Sequence, residues 1–102
     1  NRVVGADANP YLAIAASLAT GYLGMTQKCQ PRDAVKSDSY DRPRELPYGL
    51  LEGIEELLAC EDLHEVLGKR FVRLFAAVKQ QEFADFMRVI SPWEREHLLL
   101  NV

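Results

Sequence analysis

From Ala8 to Gln27 the chain carries no Lys, Arg, Asp, Glu or His, although polar and charged residues are frequent on either side. Asn9 is placed to cap a helix, and Pro10 suits its first position, where the missing N–H is no loss. The interior is rich in Ala and Leu, so a helix is predicted over residues 9–27. No polar face recurs in it at helical spacing. A helix that is apolar all round must be wrapped by protein or by lipid. Its only large aliphatic side chains are Leu12, Ile14, Leu18, Leu23 and Met25, and no Lys or Arg cluster sits at either end, which argues against a bilayer span. Ala15, Ala16, Ala19, Thr20 and Gly24 allow close approach by neighbouring backbone. The segment reads as a buried central helix of a soluble protein, with too few residues left in the chain to enclose it.

The pattern breaks after this helix. Residues 28–48 hold Pro31, Pro43 and Pro47 among charged and small polar residues, with no surviving period, and predict one long loop. Helical spacing returns over 49–60, where Leu50, Leu51, Ile54, Leu57 and Leu58 oppose Glu52, Glu55 and Glu56. Asp62 and Glu65 have the spacing of a capping box and predict a short helix over 62–67 that ends at Gly68. A long helix is expected over 69–90, with Phe71, Leu74, Phe75 and Val78 as its core stripe. Ser91, Pro92 and Glu94 then signal a last helix over 91–100. The one candidate strand is Arg2–Gly5.

A chain of 102 residues bounds the fold to a single domain. With 48% hydrophobic and 26% charged residues the composition is globular, and a net charge of −3 does not call for nucleic acid or an anionic membrane. Cys29 and Cys60 do not make a disulfide framework and no signal peptide precedes them, so the cytoplasm is the expected location. The opening Asn1-Arg2 has no initiator Met and suggests a processed or excised piece.

Little chemistry is visible in these residues. Cys60 and His64 are too few for a metal site, which needs three or four converging ligands; a buried thiol and a surface imidazole account for them. Glu94, Glu96 and His97 fit a solvated face. Gly21 and Gly24 lie inside the first helix, where close packing explains them better than phosphate binding. Lys69, Arg70, Arg73 and Lys79 give the long helix a basic side, which solvation explains.

"NRVVGADANPYLAIAASLATGYLGM" strongly resembles the part of glutamine synthetase-family enzymes that follows their Arg-x-Glu-x-Arg strand and enters a buried helix starting Asn-Pro-Tyr-Leu. "LPYGLLEGIEEL" is similar to the family's Leu-Pro-x-Ser-Leu-Glu-Glu-Ala-Leu helix, and "SPWEREHLLLNV" to the carboxyl terminus of its glutamate–polyamine ligase branch. The resemblance implies a C-terminal segment of the catalytic domain over residues 1–102. As a fragment it would be all-α, with about four to five helices and one long loop, cut from an α+β domain. The implied enzyme activates the γ-carboxylate of glutamate with ATP, using magnesium or manganese, and joins ammonia or an amine to it through γ-glutamyl phosphate.

Residue by residue, Arg2 falls on the second Arg of Arg-x-Glu-x-Arg, which in the family contacts the substrate or the transferred phosphoryl group. A guanidinium suits this role because its fork can hold two oxygens. The metal-ligand Glu of that motif would fall before Asn1. The resemblance therefore implies no catalytic, cofactor or metal residue in the chain itself, no cofactor bound to it, and no activity from it alone. Tyr40 occupies the place of a tyrosine that one bacterial branch modifies with AMP, in the pattern Asn-Leu-Tyr-Asp-Leu-Pro. Tyr40, Asp41 and Pro43 match that pattern; Asp38 and Ser39 depart from it. The expected partners are the rest of the catalytic domain and further copies, in a double ring for the whole enzyme and by self-association for the fragment. The alternative from another class is a small helical interaction module without catalysis.

Overall fold

The computed structural model describes residues 3–34, 36, 43 and 45–99. Among these residues the chain forms five helices and no strand: α1 (Pro10–Thr26), α2 (Leu50–Ala59), α3 (Glu61–Leu67), α4 (Lys69–Met87) and α5 (Pro92–His97). Val3, Val4 and Gly5 therefore do not form the strand expected at Arg2–Gly5; a strand needs a neighbour to bond with, and none is present among the described residues. The described positions between α1 and α2 carry neither helix nor strand, and Arg32 pairs there with Glu45.

α1 is defined sharply at both ends. Asn9 Oδ1 accepts from the backbone N–H of Tyr11 (3.0 Å) and of Leu12 (3.4 Å). At the other end Lys28 N bonds Met25 O (3.2 Å) and Cys29 N bonds Gly24 O (2.9 Å), the two bonds of a Schellman motif. Lys28 adopts the left-handed conformation this closure requires, with φ of 54°. Two of the helix's hydroxyls bond back to its own backbone. Thr20 Oγ1 lies 2.9 Å from Ala16 O and Thr26 Oγ1 lies 3.0 Å from Leu23 O, so both donate back to the helix.

α3 begins one residue before the predicted start, behind Cys60, and Asp62 does not cap it. Its carboxylate is engaged elsewhere, accepting from Gln27 Nε2 at 2.7 Å and so tying the end of α1 to the start of α3. Gly68 ends α3 and starts α4, with φ of 92°, a value that L side chains rarely adopt. The Glu65–Lys69 ion pair (2.7 Å) straddles this joint. α4 stops at Met87 rather than at residue 90. Arg88 N and Val89 N turn back on Asp85 O and Phe86 O, and Pro92 holds Ser91 extended.

The core is thin. α2 packs along α4, α3 contacts both, and α1 rests on α3, while α5 packs against none of the other helices. Among the described residues only Ala19, Ile54, Val72 and Ala76 are buried apolar side chains. α4 presents Val72 and Ala76 inward, with Phe75 and Lys79 half-buried beside them, whereas Leu74 and Val78 of the predicted core stripe face outward. The small side chains let α2 approach closely, which rotates the larger ones away from the contact. Gly21 and Gly24 do not serve close packing within this chain either, because a Cβ at either position would meet nothing within 4 Å. The chain exposes 9319 Å2, where a compact monomer of this mass exposes about 5,800 Å2.

Ile54 joins α2 to α4 at the centre of this core. Ile54→Ala should lose about 2–5 kcal/mol, enough to unfold much of so slight a domain. Leu74→Ala, on the outer side of α4, should change stability by less than about 0.5 kcal/mol. Urea unfolding followed by circular dichroism measures both, and equal costs would contradict this placement of the core.

Candidate functional site

The approach to α1 is a turn built to lead a chain into a helix. Ala8 N donates to Gly5 O (3.2 Å), and Asn9 then takes the cap. A Cβ on Gly5 would lie 2.6 Å from Asp7 Oδ1, so the glycine gives the Asp7 carboxylate room to fold back. Beside this turn, Val4, Asp7, Asn9, Leu12, Leu50, Phe75, Lys79 and Glu82 line an open pocket of about 440 Å3. Its charges are partly matched: Lys79 Nζ bonds Glu82 Oε2 (2.6 Å) and lies 5.8 Å from the Phe75 ring centroid. Arg2, the predicted substrate contact, lies outside the described residues, as does Tyr40, the predicted modification site. In the sequence Arg2 stands three residues before Gly5, where the turn begins.

A second pocket, about 110 Å3 and almost wholly apolar, lies where α1 faces the other helices. Leu12, Ala15 and Ala16 line one side; Leu57, Leu67, Phe71, Val72 and Phe75 line the other. It offers no group for proton transfer or for orienting a polar ligand, and amounts to a packing gap.

The candidate chemical residues are dispersed. His64 is half-buried, and its Nε2–H donates to Leu57 O at 3.0 Å, so the imidazole ties α3 to α2 and is not the surface ring expected. Cys29 and Cys60 are free thiols. His97 stacks on Trp93 with ring centroids 4.8 Å apart, and its Nδ1–H donates to Trp93 O. Among the described residues no group of three or more His, Cys, Asp or Glu side chains could hold a metal ion, and no helix is long and apolar enough to cross a membrane. The described residues do not fit an ATP–metal centre. Neither the Gln27–Asp62 contact nor the His64–Leu57 contact has a local signature, since each joins residues through tertiary packing.

Residues 1–98 of the chain match the family model described as "Glutamine synthetase, catalytic domain". It is 35% identical to the type-1 glutamine synthetase 2 of Dictyostelium discoideum, over 96% of this chain and 20% of that protein. It is 34% identical to a glutamate–isopropylamine ligase of Pseudomonas sp., over 92% of this chain and 21% of the relative. With the γ-glutamylputrescine synthetase of Escherichia coli K12 it shares 32% identity, over 98% of this chain and 21% of the relative. The chain spans about a fifth of the length of the curated relatives it matches. No solved structure matches it.

The most complete local arrangement is the cap of α5. Ser91 Oγ accepts from Glu94 N (3.1 Å), and Ser91 N donates to Glu94 Oε2 (2.7 Å). The Ser91 backbone N–H first, and its hydroxyl next, hold the Glu94 carboxyl below the usual glutamate range. A depressed folded pKa stabilises α5 above the unfolded value of about 4.3, and that contribution is lost as pH falls through the lower folded value. The Ser91 amide resonance should therefore shift on acidification below about pH 4. Glu94→Gln keeps the reciprocal cap without the charge and should abolish that shift. A flat profile in the unmutated chain would contradict the assignment.

Proposed function

Because the chain belongs to the glutamine synthetase family, matching its catalytic domain over residues 1–98, we propose that it is the C-terminal helical part of an ATP-dependent carboxylate–amine ligase. In the whole enzyme the γ-carboxylate of glutamate takes the terminal phosphoryl group of ATP. The amine nitrogen then attacks the resulting acyl phosphate, and phosphate leaves as the amide bond forms. Bound magnesium or manganese would offset phosphate charge, held by residues outside this chain. The acceptor is ammonia or an amine. Support for the amine branch comes from the likeness of residues 91–102 to polyamine ligases and from the relatives named for isopropylamine and putrescine. The relative named a glutamine synthetase is as similar, so the acceptor class stays as broad as the family.

The family match carries this reading, and the thin core agrees with it. In the whole enzyme the rest of the catalytic domain would close over α1, and the protein would assemble as a cytoplasmic double ring. The present segment contributes scaffold. Its one contact with substrate in this reading is Arg2, whose guanidinium would hold carboxylate or phosphoryl oxygens as charge builds on them. Tyr40 stays a candidate modification site on the strength of Tyr40, Asp41 and Pro43 alone.

The test is glutamate-dependent phosphate release from ATP, with ammonia and with a panel of amines as acceptors. A complete protein containing this segment should show it, and the isolated 102-residue chain should not. Arg2→Ala in the complete protein should lower kcat/KM at least about 100-fold while leaving the thermal midpoint near its original value. Unchanged turnover would remove Arg2 from the site, and turnover by the isolated chain would overturn the scaffold role.

A further inference from the structure

Asn9 holds the start of α1 largely through one oxygen. Its Oδ1 accepts from Tyr11 N (3.0 Å) and Leu12 N (3.4 Å), and its backbone carbonyl accepts the first helical bond, from Ala13 N (3.0 Å). Pro10 has no N–H, so the Asn9 side chain serves both N–H groups of the first turn that lack a carbonyl partner in the helix. The far end of α1 is tied down by Gln27 on Asp62 (2.7 Å). The preceding chain therefore departs from a helix anchored at both ends, and none of these contacts depends on what covers the outer side of α1.

That departure is short and directed. Ala8 N bonds Gly5 O (3.2 Å) to close the turn, and Asn9 beside it is extended, with φ of −61° and ψ of 118°. Val4, one residue upstream of the turn, lines the same pocket as Leu12 of α1, Leu50 of α2 and Phe75 of α4. The course of the backbone is thus set as far as Val4, and only Val3 stands between Val4 and Arg2 in the sequence. With the Asn9 oxygen removed, Tyr11 N and Leu12 N lose their partner and the first turn of α1 loosens. The turn before it then keeps one closing bond and no anchor.

We propose that Asn9 is a positioning residue for Arg2: its cap fixes the start of α1 and the turn, and through Val4 and Val3 aims the guanidinium at the oxygens it holds. The inference rests on the reading of Arg2 as a substrate contact. A guanidinium fork engages two oxygens at once only from a narrow range of positions, and a displacement of about 1 Å costs on the order of 100-fold in rate.

The test is a double-mutant cycle in the complete ligase, assayed well below its thermal midpoint. Asn9→Gly removes the cap oxygen, and glycine is the replacement that a cap position tolerates with little loss of stability. It should lower kcat/KM at least about 10-fold, whereas Asn9→Ser keeps an accepting oxygen and should retain most of the turnover. In an Arg2→Ala background Asn9→Gly should lower kcat/KM no further, yet should shift the thermal midpoint as much as it does in the unmutated enzyme. Unchanged kcat/KM in Asn9→Gly, or losses that multiply in the double mutant, would overturn the proposal while leaving Arg2 in the site. Unchanged turnover in Arg2→Ala would remove the substrate contact itself, and the positioning role with it.

Discussion

The molecule is organised around the lack of charge on α1. Seventeen helical residues carry no Lys, Arg, Asp, Glu or His, and the Thr20 and Thr26 hydroxyls turn back onto the helix, so its surface is largely apolar. Such a helix is stable only where apolar surface covers it. In this chain α3 and the Gln27–Asp62 contact secure one side, and the other side stays open. The small core follows from this, because α2, α3 and α4 can close over one another but cannot also surround α1.

The same constraint explains why a segment of a ligase family contains so little chemistry. Its polar contacts serve joints: Asp62 on Gln27, His64 on Leu57, Glu65 and Lys69 across Gly68, Ser91 and Glu94 at α5. None of them converges on a common point in the way that a catalytic centre requires. The exposed ion pairs add little to stability. What the segment supplies in the proposed enzyme is a backing for α1, and α1 in turn fixes the turn at Gly5–Ala8 and whatever precedes it. Arg2 would then be positioned through the backbone, by the Asn9 cap and that turn.

The parts of the fold legible in the sequence were those set by local chemistry. Asn9 with Pro10, and Ser91 with Pro92 and Glu94, cap helices because each needs only its own next three residues. The all-helical character followed from spacing in the same way. Asp62 misled because a capping box and a tertiary acceptor look alike in sequence, and Gln27, 35 residues away, decided between them. The α4 stripe was misplaced because Val72 and Ala76 are less apolar than Phe71 or Leu74, yet their size lets α2 approach. Of the candidate site, the residues could be named from family resemblance, while their surroundings depend on chain beyond this segment.

The central claim is that the open side of α1 is closed in the complete enzyme. Leu18 is 69% exposed in this chain, where Leu18→Ala would remove little buried contact. Thermal unfolding of the complete ligase carrying Leu18→Ala therefore tests the claim most directly. Enclosure predicts a loss of about 2–5 kcal/mol, as for any large core side chain. A change within about 0.5 kcal/mol, as for an exposed position, would show that α1 faces solvent there too and would contradict the account.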